Sequence, residues 1–161
     1  MLPYRTLCLA LASTALLLAC GDDDDGDDPI VIDLNGAWTF TVDVTVANGV
    51  CAGEENDDPV PFAVDMVVVD PNGDGTYDVS VTGDFGDAGG TISGTVVGVP
   101  EVGDQIVLSG NIAEDGGTTT STYTLTIVSD TRLTGFEEWS WTGVGGTCPD
   151  GEATVVVARA N

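Results

Sequence analysis

The sequence contains no histidine and no lysine, and its only basic side chains are Arg5, Arg132 and Arg159. A serine or cysteine nucleophile activated by histidine is therefore excluded, and so is a Schiff base on lysine. The glycine-rich motifs that bind phosphates and dinucleotides are also missing. Because only carboxylate chemistry remains, we expect a protein that is not an enzyme and that requires no cofactor.

Negative charge, in contrast, is abundant. The 161 residues include 27 Asp and Glu against three arginines, so the formal net charge is −24 at pH 7. Such a surface repels nucleic acid and anionic lipid and attracts cations, which predicts that the chain has no nucleic-acid partner. The simplest interpretation of the charge is solubility, or adaptation to salty surroundings in which screening weakens self-repulsion.

The N-terminal apolar run is short, since the stretch without charge covers only residues 7–19. With Arg5 before it, the run has the layout of a secretory signal and is too short to cross ~30 Å of hydrocarbon. Its end, Leu17-Leu18-Ala19-Cys20, resembles the lipobox of bacterial lipoproteins. The resemblance implies a signal peptide at residues 1–19 and palmitate-type acylation of Cys20, which would hold the protein on a membrane. Two or more chains make such an anchor stable. The alternative is an ordinary secretory signal with an incidental cysteine.

Residues 20–35 then form a lipidated cysteine and an acidic tether. Six aspartates occupy the seven positions 22–28, where they repel one another and bury no apolar surface, so we expect disorder. An acidic stretch after the cysteine is similar to a surface-export signal of some Gram-negative lipoproteins. Gly21 stands where an aspartate would resemble an inner-membrane retention signal. The resemblance therefore implies the outer membrane, with the periplasmic or surface face left open.

Two cysteines remain once Cys8 leaves with the signal and Cys20 is acylated. In an exported chain this leftover pair, Cys51 and Cys148, predicts a disulfide. Zinc is the alternative, but two thiolates without histidine make a poor site.

The rest of the chain, residues 36–161, alternates apolar and polar side chains in short segments separated by Gly, Asp, Asn or Pro. This pattern predicts one all-β domain, with strands at 38–47, 62–70, 76–82, 91–97, 105–112, 120–129, 132–142 and 153–160. Short connections favour an eight-stranded antiparallel up-and-down barrel, and a two-sheet β-sandwich is the alternative. In a closed meander the loops that carry Cys51 and Cys148 share one end, and the first and last strands become neighbours.

The ends of this domain carry a further pattern. Gly36-Ala37-Trp38 in the first strand and Arg159 in the last resemble the Gly-x-Trp motif and late arginine of the lipocalin-like (calycin) superfamily. The resemblance implies that the Arg159 guanidinium packs across the Trp38 indole and closes one end of the barrel, a contact that cation–π attraction favours. It also implies binding of a small apolar or cationic ligand.

One candidate metal site follows the second strand. Asp70, Asn72, Asp74 and Asp78 match the start of a calcium loop, but Val81 stands where that loop has its bidentate glutamate. Calcium binding would therefore be weak. Pro-Asn-Gly-Asp-Gly between two alternating strands is also strong turn chemistry, and we favour the turn.

Acidic residues also recur in alternate connections, which a meander places at the mouth opposite the tether. They would form an acidic rim that collects cations or a basic partner, although ordinary solvated loops are the simpler interpretation. The residues are Glu54, Glu55, Asp57, Asp58, Asp84, Asp87, Glu114, Asp115, Asp150 and Glu152.

The seventh strand contains a candidate ligand site. Strict alternation places Glu137 on the face of Trp139 and Trp141, where an apolar lumen would raise the pKa of its carboxyl. Such a carboxyl could anchor a ligand or serve as an acid in sugar chemistry. We favour instead a bulge after Gly135 that turns Glu137 outward and keeps Phe136 inside.

Eight strands enclose an interior that side chains just fill, or that holds one small ligand. Many inward aromatic residues favour filling, and Gly94 and Gly110 would leave at most a shallow pocket at the acidic mouth. We therefore predict a non-catalytic interaction or structural module, with lipocalin-like ligand binding as the alternative and calcium binding as a minor one.

Overall fold

The computed structural model describes residues 31–85 and 89–161. Two one-turn 3-10 helices, Gly49–Cys51 and Glu54–Asn56, connect the first two strands. The strands are β1 (Gly36–Val46), β2 (Val60–Val69), β3 (Thr76–Gly83), β4 (Gly90–Val97), β5 (Gln105–Glu114), β6 (Gly117–Ser129), β7 (Arg132–Gly143) and β8 (Gly146–Arg159). In the part of the chain that the structure describes, no helix has the length and apolar character needed to span a membrane.

Each strand pairs antiparallel with the next, and β8 returns to pair with β1, so the sheet is a closed barrel. The closing ladder joins Trp38 to Arg159 and Phe40 to Val157. This confirms the predicted all-β, eight-stranded up-and-down barrel over the sandwich. Closure is favourable because it pairs both edges of the sheet.

Alternate residues of every strand point into one core. Trp139 and Trp141, which alternation also predicted to face inward, are not among its members. Phe40 lies at its centre and meets the rings of Phe85 and Tyr123 edge-on, each with centroids 5.9 Å away. Edge-to-face contacts of this kind add stability beyond the buried area. The core side chains therefore fill the barrel below its mouth.

One end of the barrel is closed by the segment that precedes β1. The prediction assigned all of residues 20–35 to a disordered tether, but Ile32 and Leu34 are only 3% and 1% exposed and belong to the core. The Ile32 N–H donates to the Pro100 carbonyl at 2.8 Å, and the Leu34 carbonyl accepts the Trp38 indole N–H at 2.9 Å. The packed unit thus begins before residue 36, because apolar residues already alternate there.

Arg159 covers the same end from outside the core. Its guanidinium carbon lies 4.5 Å from the centroid of the Trp38 ring. It also donates hydrogen bonds to the carbonyls of Asp130, Asn35 and Asp33. One side chain therefore ties the segment before β1, the β6–β7 turn and β8 together.

The opposite end carries the disulfide. Cys51 and Cys148 are bonded, with Cα atoms 5.5 Å apart and a sequence separation of 97 residues, which confirms the predicted bridge. Cys148 lies inside β8 and not in a loop, because the β7–β8 connection is only Val144 and Gly145. Gly49 has a φ of +66°, and a side chain there would collide with the Thr147 carbonyl. The β1–β2 connection is thus pressed closely onto the last hairpin.

Candidate functional site

A cavity of about 130 Å³ opens at the disulfide end of the barrel, opposite the segment that contains Ile32 and Leu34. Its apolar wall includes Val42, Phe62, Phe85 and Ile112. The volume is below the ~300 Å³ of ordinary ligand pockets but close to the roughly 150 Å³ that holds one benzene. We call this space the mouth cavity.

The polar side of the mouth cavity is formed mainly by β6 and β7. These strands contribute Thr119, Ser121, Tyr123, Glu137 and Trp139. The positions alternate along each strand, and Ser121 pairs with Trp139 and Tyr123 with Glu137 across the ladder. Two neighbouring rows of inward side chains therefore converge on one wall.

Glu137 is inside the barrel, with 5% of its surface exposed, whereas Phe136 is 49% exposed. The favoured bulge after Gly135 was therefore wrong, and strict alternation was the correct interpretation. Pairing to β6 continues without a break through Gly135, where a side chain would collide with the Thr124 carbonyl. The irregularity falls later, where β7 shifts its register against β8 between Trp139 and Trp141.

Burial raises the pKa of the Glu137 carboxyl, and the nearby charge of Glu114 adds to the shift. The hydroxyls of Ser121 and Tyr123 favour the charged carboxylate and offset part of it. Burial is also the main reason why the pKa of Tyr123 is raised, with the Glu137 charge second. A carboxyl and a phenol thus face each other in a buried site, where both resist ionisation.

Ser121 is the least satisfied polar residue of this wall. It is fully buried, at 0% exposure, and within the described residues its Oγ has no hydrogen-bond partner. It lies near enough to Glu137 to influence that pKa without reaching hydrogen-bond geometry. A buried hydroxyl without a partner loses the hydrogen bonds that water would supply, so the Ser121 hydroxyl is free to bind a group that enters the cavity.

Two more carboxylates, Glu54 and Glu114, stand at the opening of the mouth cavity. Partial burial raises the pKa of Glu54, and the charges of Asp57, Asp115 and Glu114 raise it further. Glu114 accepts a hydrogen bond from the Thr119 hydroxyl. Acidic groups from the β1–β2 connection and from the end of β5 therefore lie together at the opening.

Not all of the predicted rim gathers at this opening. Asp150 and Glu152 are exposed residues of β8, which begins seven residues earlier than predicted, and Glu152 pairs with the exposed Glu138 on the outer face. The predicted strand started too late because the Gly and Pro residues before it resemble a turn. Asp84 is exposed, and Asp87 lies outside the described residues.

The two predicted tryptophans separate. Trp139 lines the mouth cavity and packs against Gly151. Trp141 packs against Gly117 and Gly143 and donates its indole N–H to the Glu114 carbonyl at 3.2 Å, so it supports the site from outside the cavity. Gly94 and Gly110, predicted to leave space, instead let β4 and β5 approach, since a side chain at either would meet the neighbouring strand's backbone.

The candidate calcium segment forms a turn. The Asp70 carboxylate accepts the N–H groups of Gly73, Asp74 and Gly75 at 2.7, 3.2 and 3.1 Å. These bonds lower its pKa, that to Gly75 most. Across residues 31–85 and 89–161, no group of three or more Cys, Asp or Glu is arranged to hold a metal ion. The favoured turn interpretation thus agrees with the geometry of Asp70.

The mouth cavity combines an apolar wall with buried polar groups, which suits it to binding. Sequence reasoning identified Glu137 and Trp139 but missed Thr119, Ser121 and Phe85. The signal for the first two was present, since they share the parity of Tyr123 in β6. Protein-family models, curated proteins and solved structures provide no match to this chain, so its function is inferred from its own residues.

Proposed function

We propose that this chain is a lipid-anchored protein of the bacterial cell envelope, held on the outer membrane through acylated Cys20. Its non-catalytic, disulfide-closed barrel presents the mouth opposite the anchor as an interaction module. The anchor rests on the lipobox-like Leu17-Leu18-Ala19-Cys20 and the acidic stretch after it. Cys20 itself lies outside the described residues.

One observation supports this arrangement more than any other. The chain enters the barrel through Ile32 and Leu34 at one end, while the mouth cavity and the carboxylates of Glu54 and Glu114 lie at the other. A tether attached at the entry end would leave the mouth directed away from the membrane. A negative mouth favours basic or cationic partners, because electrostatic complementarity steers encounter.

Binding of a small ligand in a lipocalin-like manner is the second candidate function. The mouth cavity and the stacking of Arg159 on Trp38 favour it. The size of the cavity limits such a ligand to one small group and excludes the larger hydrophobic ligands that would need an open lumen.

The anchor is tested by the mass of the protein from cells. Wild type should carry a lipid mass on Cys20, and Cys20→Ala should accumulate as a longer, unlipidated precursor. Cys8→Ala, a matched change inside the predicted signal, should mature normally. If Cys20→Ala matures normally and wild type carries no lipid, the anchor is refuted.

The orientation is tested by photocrosslinking in cells. A photoreactive side chain replaces either Val50 near the mouth or Val102 near the entry end, which are 59% and 52% exposed. We expect a protein partner to be captured from position 50 and not from position 102. Equal capture from both positions, or capture from position 102 alone, would contradict the role of the mouth.

A further inference from the structure

We propose that the mouth cavity binds a small primary ammonium ion, with the charged nitrogen against Glu137 and Ser121 and the carbon skeleton against Phe62 and Phe85. The inference deepens the proposed function, on which it rests for the mouth being the binding end. It names the ligand class for that site: a benzene-sized amine in its protonated form.

The charge of the ligand follows from what lines the cavity. Carboxyl groups of Glu137, Glu114 and Glu54 face it, together with the hydroxyl of Tyr123. No basic side chain lines the cavity, and both arginines of the described residues, at positions 132 and 159, lie at the other end of the barrel. A buried carboxyl is either neutral or, once ionised, stable only when it is paired, so a counter-charge for the ionised form has to come from solution.

The number of hydrogen-bond donors follows from Ser121. Its Oγ is buried without a partner beside the Glu137 carboxyl, and the Tyr123 hydroxyl faces the same carboxyl. An ammonium group of the lysine type has three donors, which can serve the oxygens of Glu137, Ser121 and Tyr123, while the Thr119 hydroxyl on the same wall already donates to Glu114. A quaternary ammonium has no N–H donor and would leave Ser121 unsatisfied.

The size and shape of the ligand follow from the remaining walls. The cavity volume is about 130 Å³, close to the roughly 150 Å³ that holds one benzene. The rings of Phe62 and Phe85 lie 5.8 Å apart, tilted by 39°, and with Trp139 they offer aromatic surface to a ring or a short alkyl chain. The site therefore suits an arylmethyl or short alkyl ammonium ion.

Binding should depend on pH in a defined direction. Burial raises the pKa of Glu137, so the empty protein keeps a proton on this carboxyl to a higher pH than an exposed glutamate would. The bound cation displaces that proton, and the affinity should rise with pH until Glu137 is fully ionised. Glu54, with a raised pKa of its own, contributes in the same direction, whereas Tyr123 stays neutral because its pKa is raised as well.

The test is titration calorimetry of the full chain with benzylammonium at several pH values. Benzyl alcohol is the neutral control, and benzyltrimethylammonium is the control without N–H donors. We expect one-to-one binding of benzylammonium, with proton release, and at least about tenfold weaker binding of both controls, since a hydrogen bond to a charged group contributes about this factor or more.

Two variants and one matched control locate the site. Glu137→Gln should weaken benzylammonium binding by about tenfold or more and reduce the proton release, and Ser121→Ala should weaken binding by about fivefold or more. Glu138→Gln removes the same charge from the adjacent, outward-facing position and should leave the affinity within about twofold. If Glu137→Gln does not fold, comparing the benzylammonium affinity of Ser121→Ala with that of Glu138→Gln still tests whether the mouth cavity is the binding site.

Several outcomes would overturn the inference. One is equal loss in Glu137→Gln and Glu138→Gln, which would indicate diffuse attraction by the acidic surface. Others are equal affinity for benzyl alcohol, or no binding of benzylammonium at millimolar concentration. These failures remain distinct from failure of the proposed function, because lipidation of Cys20 and crosslinking from position 50 are measured without any amine.

Discussion

Replacing Arg159 by lysine or alanine should reveal how strongly one side chain closes the entry end of the barrel. The guanidinium donates to the carbonyls of Asp130 and Asn35, each at 3.0 Å, donates also to Asp33, and stacks on Trp38. Charge-assisted hydrogen bonds contribute about 1.5–3 kcal/mol each when well buried. Because Arg159 is only half-buried, we assign about 1 kcal/mol to each of its three hydrogen bonds. The cation–π contact with the Trp38 indole adds ~0.5–1 kcal/mol.

Arg159→Ala should therefore lower the free energy of unfolding by about 3.5–4 kcal/mol. Arg159→Lys keeps the charge but not the planar fork, and should lose about half of that. Urea unfolding, followed by tryptophan emission, measures both values. Arg132→Ala removes the other arginine of the barrel, an exposed one, and should change the stability by less than about 0.5 kcal/mol. A wild-type stability for Arg159→Lys would refute the role of the fork, and equal losses in Arg159→Ala and Arg132→Ala would indicate that only net charge matters.

Three more predictions concern the mouth end. Replacing Cys51 and Cys148 by alanine together should lower stability by up to about 4–5 kcal/mol, given their 97-residue separation, and a loss below ~1 kcal/mol in urea unfolding would contradict this. The pKa of Glu137 in the folded protein lies above its ordinary value of 4.5. Ionising this buried carboxyl therefore costs no folding stability below pH 4.5, and the cost grows as the pH rises through the folded pKa. Glu137→Gln should thus be stabilised relative to wild type at pH 7 and not at pH 4 in thermal melts; a difference independent of pH would count against buried ionisation. Gly151→Ala should collide with Trp139, lower stability by about 1–3 kcal/mol and change the tryptophan emission, and an unchanged spectrum would contradict the packing.

The strands, their order and the closure of the barrel were predictable because they depend on alternation, which the chain repeats in every segment. The Cys51–Cys148 bridge followed from topology, since a meander brings alternate connections to one end. The limits of the packed unit were harder to predict. Ile32 and Leu34 follow a run of aspartates, so the acidic composition indicated a disordered tether. The side chains of these two residues nevertheless cover the end of the barrel.

The wall of the mouth cavity was predictable in part. The parity of β7 identified Glu137 and Trp139, but a buried carboxylate is so costly that a bulge was the favoured alternative. What sequence cannot give is the distance between side chains on neighbouring strands. Ser121 could not be recognised as part of the site from sequence, because its importance depends on its position next to Glu137. Phe85 was missed because it lies in the β3–β4 connection, where strand alternation makes no prediction.

The pairing of β1 with β8 has a consequence for the timing of folding. The hydrogen bond from Arg159 to the Asn35 carbonyl spans 124 positions, so the first strand cannot pair with the last until almost the whole chain has reached the compartment in which it folds. During that interval the nascent sheet has two free edges that invite pairing with another unfinished copy. The growing chain meanwhile carries almost nothing but negative charge. Mutual repulsion between incomplete chains should therefore keep unfinished barrels apart. The negative charge that favours solubility of the folded protein would also prevent its aggregation before the barrel closes.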